Sequence, residues 1–118
     1  MRKPTKASEN LLGLVEHYFA KEKGENIITI PLEGKSSLSD YMVVASGRSA
    51  RQVASLAEKL SEQIKSEGFG TPKMEGKEQA DWVLLDAGDV IVHIFRPEVR
   101  EFYQIEKIWQ GETGHMPS

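Results

Sequence analysis

The stretch "DWVLLDAGDVIVHIF" at residues 81–95 gathers three aspartates, a histidine and a tryptophan among aliphatic residues. Asp81, Asp86 and Asp89 have the oxygen chemistry to hold a divalent cation, and His93 can carry a proton or ligate a metal. Trp82 is of the type that anchors protein interfaces. A second candidate is "SGRSARQ" at residues 46–52, where a glycine turn flanked by Arg48 and Arg51 leads into a helix. The free amides of a helix N-terminus bind anions.

Each chemistry needs more than the residues supply. A P-loop requires a lysine and a glycine spacing that "SGRSARQ" lacks, and Ser49 explains it as an ordinary N-cap. Nucleotidyl transfer also places a Gly-Ser near a helix start, but then requires two carboxylates two apart on the next strand, converging on magnesium. Asp81 and Asp86 are five apart and point to opposite faces of a strand, while Asp86 and Asp89 flank Ala87-Gly88 as turn residues. His17, His93 and His115 share no metal-ligating spacing, and no serine is placed against either of the first two. A lone strand histidine is expected to be a hydrogen-bonded structural residue. No catalytic constellation survives, and no metal or cofactor is expected.

The elements that must position these residues follow from periodicity. Ser8 is a suitable N-cap for a first helix with Leu11, Leu12, Val15, Tyr18 and Phe19 on one face and Gly24 at its end. "NIITIPL" reads as a short strand ending near Pro31, "EGKSSLSD" as a polar connector and "YMVVASG" as a central strand. Ser49 caps a second helix with a stripe of Val53, Leu56, Ala57, Leu60 and Ile64 and a stop at Gly68. An edge strand is expected around residues 73–74, then the hairpin of residues 81–95. Pro97 opens a last helix expected to run to about Trp109. The expected fold is α/β (α+β), a mixed five-stranded sheet packed with about three helices. The domain spans residues 8–109 between flexible tails at 1–7 and 110–118.

With 118 residues, no cysteine, no long apolar run and a formal charge of −3, the chain reads as one cytoplasmic domain with no disulfide and no membrane segment. Its charge opposes naked nucleic acid and favours a basic protein partner.

In the hairpin, a two-residue Ala87-Gly88 loop sets Trp82 opposite His93. Trp82, Leu84, Ile91, His93 and Phe95 then share one face, with Val83, Leu85, Val90, Val92 and Ile94 on the other. A bulged turn at Gly88 would instead pair Trp82 with Val92. Both registers leave one mostly aliphatic face and one with aromatic or polar groups. Along the last helix, Val99, Phe102, Ile105 and Trp109 form the expected buried stripe. Arg100, Tyr103 and Lys107 fall on another face.

The blocks "EGKSSLSDYMVVASGRSARQVASLAEKL" and "ADWVLLDAGDVIVHIFRPEVREFYQIEKIW" resemble the ribosomal silencing factor family, RsfS or Iojap, over roughly residues 8–109. The resemblance implies a nucleotidyltransferase-like fold without the catalytic carboxylates, and no enzymatic activity. It implies binding to the large ribosomal subunit through ribosomal protein fourteen, with no nucleic-acid contact required. It further implies steric blocking of small-subunit joining, repression of translation under nutrient limitation, and a capacity to form homodimers. Carried over by position, the partner-binding residues are Trp82, Tyr103, His93 and Arg100, with Asp86 and Lys107 as weaker candidates. Two other readings stand beside it: a metal-dependent nucleotidyltransferase-type enzyme and a dimeric adaptor for another partner.

Overall fold

The structure, a computed structural model, describes residues 5–32, 39–105 and 107. Helix α1 (Lys6–Lys21) is followed by strands β1 (Glu25–Pro31) and β2 (Tyr41–Ser46) and helix α2 (Ala50–Ser66). Strands β3 (Lys73–Glu75), β4 (Trp82–Asp86) and β5 (Val90–Phe95) come next, then helix α3 (Pro97–Tyr103). The strands form one mixed sheet in the order β1-β2-β5-β4-β3, in which β2 and β5 are parallel and the other neighbours antiparallel. The expected five strands, three helices and mixed sheet are all present.

The two most continuously buried strands, β2 and β5, sit inside the sheet, where both faces are covered. On one face Val43, Ala45, Val83, Leu85, Val90, Val92 and Ile94 meet the apolar stripes of α1 and α2. The α2 stripe is Val53, Leu56, Ala57, Leu60 and Ile64, as its spacing predicts, and Ser49 caps it by accepting the Gln52 amide at 3.1 Å. The Tyr18 hydroxyl donates to the Leu56 carbonyl at 2.8 Å and joins the two helices. The opposite face carries Ile30, Leu32, Met42, Val44 and Phe95 in a smaller cluster, with Ile28, Trp82, Val99 and Ile105 packed against it. Only α3 crosses that face among the described helices.

Helix α1 starts earlier than expected. Thr5, not Ser8, is the N-cap: its hydroxyl accepts the Ser8 amide at 3.0 Å, and Ser8 reciprocates by accepting the Thr5 amide at 2.9 Å. Ser8 therefore closes a capping box from inside the helix. At the other end Lys23, at φ 66°, takes the left-handed position expected of Gly24. Gly24 follows it, where a Cβ would crowd the Phe19 ring.

The hairpin adopts neither expected register. Trp82 pairs with Phe95, Leu84 with His93 and Asp86 with Ile91, so Ala87 and Val90 close the turn and Gly88-Asp89 is the loop. Gly88 sits at φ 85°, which puts the glycine at the first loop position, where a primed turn of this kind requires positive φ. The Asp86 carboxylate reinforces the turn by accepting the Gly88 amide at 2.9 Å. Relative to the Ala87-Gly88 loop the register slips by two residues. Because side chains alternate with period two, the two faces keep their expected membership.

Helix α3 is shorter than the sequence suggests. It ends at Tyr103, and Gln104 at φ 50° takes the left-handed position. That break re-aims the following turn: Ile105 packs with Val99 against the sheet, whereas Phe102, expected in the buried stripe, is 79% exposed. Residues 5–7, expected in a flexible tail at 1–7, instead form the cap and first turn of α1. The expectations for Trp109, for His115, for residues 33–38 of the polar connector and for the tails at 1–4 and 110–118 lie outside the described residues.

Candidate protein-docking site

The site is built on the last pair of the hairpin. Because β4 begins where β5 ends, Trp82 lies directly over Phe95, with ring centroids 4.7 Å apart and stacked at 28°. His93 is its diagonal neighbour on the same face, close enough for a specific bond. The indole Nε1–H donates to His93 Nδ1 at 2.9 Å. His93 is only 6% exposed, and burial lowers its pKa to about 4. At neutral pH the ring is therefore uncharged, its Nδ1 accepting and its proton on Nε2. The histidine is a structural acceptor that fixes the indole's orientation.

Helix α3 supplies the outer part. The Tyr103 ring approaches the indole at 5.1 Å with a 44° tilt, and Phe102 meets Tyr103 edge-on at 5.0 Å. Tyr103 is 50% exposed and Trp82 half-buried. Leu84 and Ile91 continue the same sheet face and are also half-buried. The result is a patch of large rings with sealed bases and open tops. Rings held this way bring apolar area to a partner at little further cost in conformational entropy.

Two arginines dock the short helix. Arg96 Nε donates to Asp81 Oδ1 at 2.8 Å, and the Arg96 amide donates to the Asp81 carbonyl at 3.0 Å. Arg100 is 7% exposed, and its Nη1 donates to the Ser46 hydroxyl at 2.8 Å. Arg100 thus points into the sheet, while Tyr103, three residues on, faces out.

Of the residues singled out in the sequence, Trp82, His93 and Tyr103 come together, with Arg100 beneath the helix that carries Tyr103. Asp86 is exposed at the hairpin tip. Lys107 borders a separate cleft between β1 and α3, with Asn26, Arg100 and Gln104. Four contributors are additions to the expected set: Phe95 under the indole, Ser46 under Arg100, Arg96 on Asp81, and exposed Phe102. Phe95 was visible on the aromatic face of the hairpin, but its stacking with Trp82 depends on the register.

Among the described residues no three His, Asp or Glu side chains converge to hold a metal ion. The "SGRS" turn engages its own chain: Arg48 Nε donates to Glu25 at 2.8 Å, and Ser49 caps α2.

Comparison with known proteins agrees with the two sequence blocks. The family model described as "Ribosomal silencing factor during starvation" matches residues 5–117. A Zymomonas mobilis protein named ribosomal silencing factor RsfS is 55% identical over 110 residues, covering 92% of this chain and 83% of the relative. The crystal structure of a Chromobacterium violaceum protein superposes with a TM-score of 0.83 at 38% identity, covering 93% of this chain and 89% of the other. A more distant Mus musculus protein, "Mitochondrial assembly of ribosomal large subunit protein 1", is 32% identical and covers 75% of this chain and 40% of its own length. The chain belongs to the ribosomal silencing factor (RsfS) family.

Proposed function

We propose that this chain binds the large ribosomal subunit through ribosomal protein fourteen, using the patch of Trp82, Tyr103 and Phe102, and acts as a steric block. Docked there, the bulk of the domain keeps the small subunit from joining and represses translation when nutrients are scarce. The reading places the protein in the cytoplasm and gives it no catalytic role. The observation that carries it is the open aromatic platform on a rigid base. Trp82 and Tyr103 touch at 5.1 Å, and Tyr103 stays 50% exposed. Tryptophan and tyrosine are enriched among residues that dominate binding energy, whereas an aliphatic core needs no such half-covered rings. His93 and Arg100 act from beneath, the first by holding the indole and the second by holding α3.

Charge agrees in sign. The formal charge of −3 favours encounter with a basic ribosomal-protein surface, and added salt should weaken it. An interface of about 1,200–2,000 Å² suffices for stable binding, and blocking then requires only occupancy. The mouse relative's printed name ties that protein to the large subunit, in keeping with this choice of partner.

Sucrose-gradient sedimentation of separated subunits tests the proposal. Added protein should comigrate with large subunits and reduce the joined fraction as salt is lowered. An unchanged joined fraction with no comigration contradicts it.

A further inference from the structure

We infer that the cleft beside Trp82 receives an arginine side chain of the docked protein partner, stacked on the Trp82–Tyr103 rings and paired with Glu78; the inference rests on the docking reading above. The cleft has a volume of about 410 Å³, and its lining includes Gly76, Glu78, Asp81, Trp82, Val99 and Tyr103. That is the size of a small binding site. It adjoins the aromatic patch, so a partner seated on the patch lies over its mouth.

The chemistry of the walls selects the occupant. Among the described residues, both charged lining groups, Glu78 and Asp81, are carboxylates, and no lysine or arginine lines the cleft. The indole N–H is committed to His93, so Trp82 offers π surface and no donor. An anion would face two carboxylates there, with only the Gln79 amide and the Tyr103 hydroxyl as side-chain donors, and an aliphatic side chain would strip water from carboxylates without replacing it. A cation over an aromatic face is attracted by the ring quadrupole. Arginine fits better than lysine because a planar guanidinium can lie against a ring and still present paired N–H groups to a carboxylate. Asp81 is already bonded at Oδ1 by Arg96, which leaves Glu78 as the main partner.

The wall bearing Glu78 is held in place. Gly76, at φ 87°, packs so close to the Trp82 carbonyl that a Cβ would collide with it, and the Ala80 amide donates back to the Gly76 carbonyl at 2.9 Å. The loop from 76 to 80 is thereby fixed to the same strand end that carries the indole.

The test titrates the ¹⁵N-labelled full chain with N-acetyl-arginine methylamide and, separately, with its neutral isostere N-acetyl-citrulline methylamide. The arginine probe should shift the Trp82 indole N–H and the amides of residues 76–80, and the citrulline probe should not. Glu78→Lys should weaken comigration with large subunits by about tenfold, with unchanged thermal stability because Glu78 is exposed. Equal responses to both probes, no response to either, or wild-type comigration of Glu78→Lys overturns the inference. If the arginine probe shifts the cleft but the wild-type chain never comigrates, the arginine site stands and the large-subunit reading falls. If Trp82→Ala loses comigration while Glu78→Lys keeps it, the reverse holds. A concentration-dependent dimer in sedimentation equilibrium that Glu78→Lys abolishes would assign the cleft to a second copy of this chain and overturn its assignment to a ribosomal partner.

Discussion

On one side of the sheet Val43, Ala45, Val83, Val92 and Ile94 lie under two long helices, and none has measurable exposure. On the other side Phe95, His93 and Trp82 lie near a seven-residue helix that leaves Tyr103 and Phe102 in solvent. The first face is aliphatic and is satisfied by burial alone. The second contains groups that must be hydrogen-bonded to be buried at all: a histidine, an arginine and an indole N–H. Such groups add little net stability, about 1 kcal/mol per bond, but they allow one orientation of each ring and of α3. The difference teaches that one face holds the fold together and the other aims a surface.

Truncation on the helix-covered face should have the largest effect. Leu60→Ala removes a fully buried side chain and should cost about 2–5 kcal/mol in urea unfolding, while the folded fraction still binds large subunits. Loss of binding per folded molecule would break the separation between the faces.

Acid should act through the other face. Below about pH 6.5 the unfolded chain takes a proton at His93 that the folded chain refuses until about pH 4. Stability from this residue is therefore complete above that window and falls as pH drops through it, by roughly 3 kcal/mol, levelling off below. Relative to His93→Gln, the wild type should lose stability more steeply between pH 6.5 and 4. Parallel curves would contradict the buried neutral imidazole.

Tyr103→Ala should cost about 2 kcal/mol in large-subunit binding and less than that in stability, since half of the ring is already exposed. Trp82→Ala should match it in binding but also lower the melting temperature, because the indole covers Phe95. Smallest of all, Phe102→Ser should change stability by no more than about 0.5 kcal/mol. A larger loss would mean that Phe102 packs in the monomer, and the open surface would shrink accordingly.

The helix-covered face was legible in the sequence because spacing alone defines it. The five buried positions of α2 follow from a 3.6-residue period, and hairpin face membership survives any register slip of two. The aiming face was less so. Trp82 over Phe95 depends on a turn at Gly88-Asp89; a glycine in its first position is a local signal for such a turn, but the expected loop is centred on Ala87-Gly88. The end of α3 depends on Gln104 adopting a left-handed conformation that glutamine rarely takes, so neither the exposure of Phe102 nor the turn toward Ile105 could be anticipated. Burial of Arg100 against Ser46 joins residues 54 apart in the chain and leaves no local signal. The choice of partner came from the resemblance of two long blocks, not from the physics of the residues.

Hydroxyl-radical footprinting of the chain, with and without large subunits, tests the central claim most directly. Oxidation of Trp82, Phe102 and Tyr103 should fall on binding, while His17, exposed on the opposite helix layer, should react as before. Protection of His17 with the three rings unchanged, in protein that comigrates with large subunits, would show that the molecule docks by its other side.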